Sequence, residues 1–133
     1  MQDAHFLGAQ VQRLIGLRLH ALLDASDDAT LDTLPFGVIG FGADGCVTRY
    51  NAAEAQGAGY SPAQVLGRHL FTDVAPCMNN YLVAQRFEGE PGLDVQLEYT
   101  FTFRVRPTLV RLRLLKQPGR EARFVVVLRS RAA

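Results

Sequence analysis

The run Phe124-Val125-Val126-Val127-Leu128 constrains the fold more than any other stretch of this chain. A strand with one wet face alternates apolar and polar residues, whereas an unbroken apolar run of this length suits a central strand covered on both faces. The chain must therefore supply strands beside this run and cover for each of its faces. Two strand-like neighbours precede it. Val95 to Val105 is rich in Tyr, Thr, Phe and Val and alternates. Thr108 to Lys116 sets Leu109, Arg111 and Arg113 against Val110, Leu112 and Leu114, and Gln117-Pro118-Gly119 makes the turn into the last run.

A second strand group lies upstream. Gly37-Val38-Ile39-Gly40-Phe41 and Cys46-Val47-Thr48-Arg49-Tyr50 are short β runs, and Asp44-Gly45 between them predicts a hairpin. Between the two strand groups the pattern turns helical. Asn51-Ala52-Ala53-Glu54-Ala55 are helix formers, and Ser61-Pro62 starts a helix that Gly67 closes. Leu70 to Pro76 reads as a short helix or loop, and residues 79–89 as a helix carrying Tyr81, Leu82, Val83 and Phe87. At the start, residues 3–23 form an amphipathic pattern with Val11, Leu14, Ile15, Leu17, Leu19 and Leu22 apolar, followed by a linker or helical turn from Asp24 to Asp32. The order predicts an α+β architecture: one five-stranded antiparallel sheet with short helices on one side and an N-terminal helical cap.

Composition narrows the function. A chain of 133 residues makes one domain. A net charge of +1 gives no reason to expect a nucleic-acid footprint. Arg104, Arg106, Arg111 and Arg113 concentrate charge, but they alternate with Val105, Leu112 and Leu114 as a solvated sheet face does. Cys46 and Cys77 are too few for a disulfide framework or a zinc site. The first residues lack the pattern of a signal peptide, and no segment reaches the roughly 18 apolar residues that span a bilayer, so a cytoplasmic location with no membrane is expected. No nucleophilic triad, metal-spaced cluster or phosphate loop is visible, so no enzyme is expected. His5 and His20 have no visible partners, and Cys46 reads as packing.

Four blocks carry something more specific: Leu31-Asp32-Thr33-Leu34-Pro35-Phe36-Gly37, Tyr50-Asn51-Ala52-Ala53-Glu54, Asp73-Val74-Ala75-Pro76-Cys77, and Glu98-Tyr99-Thr100-Phe101 with Pro107-Thr108 after it. Through these blocks the chain resembles the photoactive yellow protein family, small blue-light receptors with the PAS fold. The resemblance implies p-coumaric acid attached as a thioester to Cys77, with Tyr50 and Glu54 donating hydrogen bonds to its phenolate. It implies supporting pocket residues Ile39, Tyr60, Ala75, Pro76, Phe101 and Val105. It also implies trans-to-cis isomerisation, proton transfer from Glu54 and a signalling change in the cap. Residues 1–33 would be that cap and 34–133 the PAS sensor domain. A chain of this length is expected to lack an output domain of its own, so a downstream signalling protein, or a homodimer through the N-terminal helix, would read it.

The residue types suit that chemistry. A phenolate in a low-dielectric site needs strong donors. Tyr is a neutral donor, and a carboxylic acid donates where burial keeps it protonated. Tyr50 and Glu54 are four apart across a strand-to-helix junction and can aim into one pocket. A Glu54 that lost its proton would be an unpartnered buried charge, and that supplies a driving force for opening.

The chain departs from the family at positions where a supporting threonine, a covering arginine and a strand tyrosine are usual; here stand Ala58, Tyr60 and Phe103. Its segment from Cys77 to Glu98 is shorter and its N-terminal helix longer and more apolar. These changes imply a tuned absorption maximum and recovery rate, or a lost photocycle. The rival readings are a PAS module that binds haem through His69 or another small ligand, and a dimerisation module built on the N-terminal helix.

Overall fold

A computed structural model describes residues 19–102 and 107–129 of the chain. Its five strands are β1 (Gly37–Phe41), β2 (Val47–Tyr50), β3 (Leu93–Phe101), β4 (Thr108–Lys116) and β5 (Arg123–Arg129). They form one sheet in the order β2-β1-β5-β4-β3, with every neighbouring pair antiparallel. The apolar run of β5 is thus the middle strand, with Val125 opposite Ile39 on one side and Leu114 on the other. The β1–β2 turn is the expected one: Gly45 takes φ +84° and Asp44 Oδ1 accepts from the Cys46 amide at 3.0 Å.

The two faces of β5 serve two cores. On the inner face Ile39, Phe41, Leu112, Leu114, Val125 and Val127 meet the short helices. These are α2 (Ala52–Ala58), α3 (Pro62–Val65), a π-helical turn (Leu70–Val74), a 3-10 turn (Pro76–Met78) and α4 (Ala84–Gly89). Phe41 clamps two of them edge-on, with ring centroids 5.4 Å from Phe71 and 4.9 Å from Phe87. On the outer face Val38, Leu115, Phe124 and Val126 are covered by Leu23 and by Leu31 of α1 (Asp28–Leu31). Residues 19–25 are helical, two residues past the expected end of the N-terminal helix, and its residues 1–18 lie outside the described ones, together with the dimer face proposed for them. Among the described residues no helix is long and apolar enough to cross a membrane.

Three expectations need correction. Arg113 is buried rather than solvated, because Asp94 on the neighbouring strand pairs with its Nε at 2.9 Å; Arg111 does stay exposed, and Arg104 and Arg106 lie outside the described residues. His20 is not without a partner: its Nε2 meets the Ala122 carbonyl at 2.8 Å, 102 residues away in sequence. The helix expected over 79–89 begins only at Ala84. Asn80 Oδ1 accepts from the Leu82 amide at 3.0 Å, a local turn that competes with helix and leaves Tyr81 and Leu82 exposed.

Candidate functional site

Asn51 organises the junction between β2 and α2. Its Oδ1 accepts from the Glu54 amide at 3.1 Å, capping α2, and from the Val38 amide of β1 at 2.8 Å. Its Nδ2 donates to the carbonyls of Leu31 at 2.9 Å and Phe36 at 3.0 Å. Each side-chain hydrogen-bonding group is used, so this 1% exposed amide holds α1, β1 and α2 in one arrangement. Gly59 closes α2 with φ +83°, its amide bonding Ala55 O at 2.9 Å.

That arrangement turns Glu54 inward, where it is 2% exposed. Its carboxylate meets Arg129, at the end of β5, through two parallel contacts: Nη1 to Oε1 at 2.7 Å and Nη2 to Oε2 at 3.1 Å. Burial pushes the Glu54 carboxyl above its ordinary value, while the Arg129 guanidinium pulls it down. Two glycines make the room. A Cβ on Gly37 would come within 2.1 Å of Glu54 Oε1, and one on Gly57 within 2.4 Å of Arg129 Nη1. Arg129 also stands 5.9 Å over the Phe101 ring.

Tyr50 ends β2, is buried, and pairs in register with Ile39 on the inner face. Cys77 lies on the 3-10 turn, half-buried and packed against the inner core that also holds Tyr50, Ala75 and Phe101. Its loop is fastened to β3. The Tyr99 hydroxyl donates to the Cys77 carbonyl, and Asn80 Nδ2 donates to the same carbonyl at 3.1 Å and to Tyr99 Oη at 2.6 Å. Ala75 is buried, Pro76 is exposed, and Tyr60 is 37% exposed beside α3. Val105 lies outside the described residues, as does Phe103.

Arg129, Asn80 and the two glycines were not singled out from sequence, and Tyr99 stood there only as part of a block. For Tyr99 a signal existed, since a buried tyrosine needs a partner for its hydroxyl. For Arg129 none did: it is 75 residues from Glu54. His69 is committed elsewhere. Its Nδ1 accepts from the amides of Phe71 at 3.1 Å and Thr72 at 3.2 Å, and its Nε2 sits where a Gly45 Cβ would be 2.2 Å away. Burial and Asp44 push the Cys46 thiol up, away from the thiolate that acylation requires. Among the described residues no three His, Cys, Asp or Glu side chains could together hold a metal ion.

The PAS fold family model matches residues 18–131. A photoactive yellow protein from Rhodothalassium salexigens is 34% identical over 105 residues, 77% of this chain and 84% of the relative. One from Rhodobacter capsulatus is 31% identical over 113 residues, 80% of this chain and 88% of the relative. Among solved structures, the photoactive yellow protein domain from the sensor histidine kinase Ppr of Rhodospirillum centenum superposes with TM-score 0.72 at 32% identity. It covers 78% of this chain and 94% of that one.

Proposed function

We propose a light-sensing function for this chain, which belongs to the photoactive yellow protein family of PAS-fold proteins. In this reading it is a cytoplasmic blue-light receptor with p-coumaric acid held as a thioester on Cys77. The observation that carries the reading is the Glu54 carboxyl, 2% exposed, in the first turn of the helix that follows Tyr50, and raised by burial above its ordinary value. A buried acid of that kind is a costly feature in a structural core and a useful one beside a ligand oxygen. The donor set fits a phenolate: one phenol and one carboxyl, both buried, with a half-buried thiol on the same core.

When bound, the p-coumaric group supplies blue absorption and a double bond that isomerises. The rest falls to this chain. Cys77 accepts the acyl group through its thiolate, and Tyr99 and Asn80 fix the loop that carries it. Tyr50 and Glu54 donate to the phenolate oxygen, and Glu54 gives up its proton after illumination. The new charge then arises on α2, one turn from the Asn51 side chain that binds Leu31 of α1 and Val38 of β1. That connection gives the charge a mechanical route to the cap on the outer face. Similarity to a domain of a sensor histidine kinase supports a signalling protein as the receiver.

Mixing purified apoprotein with activated p-coumaric acid tests the reading. The expected result is a covalent adduct by intact mass and a blue-absorbing band that bleaches in light and recovers in the dark. A colourless protein, or an adduct without reversible bleaching, would mean a PAS module with a different ligand.

A further inference from the structure

Arg129 stands outside the proposed donor set, yet it makes the closest polar contacts to the Glu54 carboxylate. The surroundings are shaped for it. Gly57 lies within α2, where glycine costs about 1 kcal/mol relative to alanine, and its missing Cβ is the space the guanidinium fills. Gly37 does the same for the other half of the pair. Phe101 offers its ring face to the cation. Two glycines and an aromatic face around one ion pair make a built receptacle.

We propose that Arg129 is the positioning residue that receives the ionised form of Glu54, and so sets how readily Glu54 yields its proton. The proposal rests on the light-sensing reading for its purpose but not for its test. In the chromophore-free protein Arg129 meets both oxygens of the Glu54 carboxyl. With ligand in place, Glu54 carries its proton and donates to the phenolate oxygen. On illumination the Glu54 O–H bond breaks, the proton goes to that oxygen, and Arg129 takes back the carboxylate through its two N–H groups. The activated state is then an ion pair rather than a lone buried charge, and it persists longer. The charged group that faces Glu54 is Arg129 from β5; Asp32, beyond α1, bonds the Ala52 amide at the start of the same helix at 2.8 Å.

The test follows the Glu54 carboxyl of the apoprotein through a pH titration by infrared spectroscopy, with Glu54→Gln to identify its band. Arg129→Gln is expected to raise the midpoint by about 1–3 pH units. Arg129→Lys restores part of that shift, since lysine keeps the charge but not the two-pronged contact. Gly57→Ala, which favours the helix but intrudes on the guanidinium, shifts the midpoint the same way by less. In pigment-loaded protein, Arg129→Gln is expected to speed dark recovery about tenfold or more, the equivalent of one pH unit. An unmoved midpoint in Arg129→Gln overturns the proposal; should that variant not fold, an unmoved midpoint in Gly57→Ala does so. Failure to take up pigment would sink the light-sensing reading and leave the titration to decide the role of Arg129.

Discussion

The sheet carries a buried arginine–carboxylate pair on each face, and the two pairs are built differently. On the outer face Arg113 and Asp94 sit on adjacent strands, with side chains 10% and 15% exposed and contacts at 2.9 and 3.4 Å. On the inner face Arg129 of β5 reaches Glu54 on a helix. The outer pair joins two strands that the backbone ladder already holds. The inner pair joins elements that the hydrogen-bond ladder leaves separate, with its acid pushed up by burial. One pair ties neighbouring strands and the other ties a strand to a helix, although the residue types are nearly the same.

The largest effect separates the faces outright. Cys77→Ala is expected to abolish pigment attachment, as read by intact mass, while changes to the Arg113–Asp94 pair leave attachment intact. Next come the pairs themselves. Asp94→Ala takes its carboxylate from a buried arginine that cannot shed its charge, and denaturant unfolding is expected to show a loss of about 3–5 kcal/mol. Arg129→Gln strands an acid that can take up a proton, so its loss is expected to be nearer 1–3 kcal/mol.

The pH dependence sharpens the contrast. A carboxyl raised above its ordinary value of 4.5 binds its proton more tightly in the folded state. Its contribution to stability is therefore full below 4.5 and is lost as pH rises through the folded value. Denaturation of the apoprotein across that range is expected to show this decline in the native protein and not in Glu54→Gln. In loaded protein the same substitution should move the absorption band to the red, since an amide is a weaker donor to the phenolate. The smallest effect belongs to the exposed pair Arg111–Glu98, 3.6 Å apart. Arg111→Ala is expected to change stability by less than about 1 kcal/mol.

The strands were legible because their signals are local: the valine run of β5, the alternation of β4, and the Asp-Gly turn. The central place of β5 followed from its unbroken apolar run. The positions of Tyr50, Glu54 and Cys77 were legible only through their surrounding blocks. What escaped was every contact between residues far apart in sequence. Alternation along β4 puts Arg111 and Arg113 on one face and says nothing of Asp94, which makes one of them buried. The Arg129–Glu54 pair spans 75 residues and the His20–Ala122 contact 102. Asn80 ended a helix that spacing alone had extended, because its side chain bonds the local backbone and β3 instead. Side-chain closure of this kind depends on the folded geometry, which periodicity does not encode.

The most direct test of the switchable inner face is the light-minus-dark infrared difference spectrum of the pigment-loaded protein. The expected result is loss of a protonated carboxyl band on illumination, its return in the dark, and its disappearance in Glu54→Gln. A spectrum in which no carboxyl band changes, from a protein that still bleaches, would contradict the assignment of Glu54 as the group that gives up its proton.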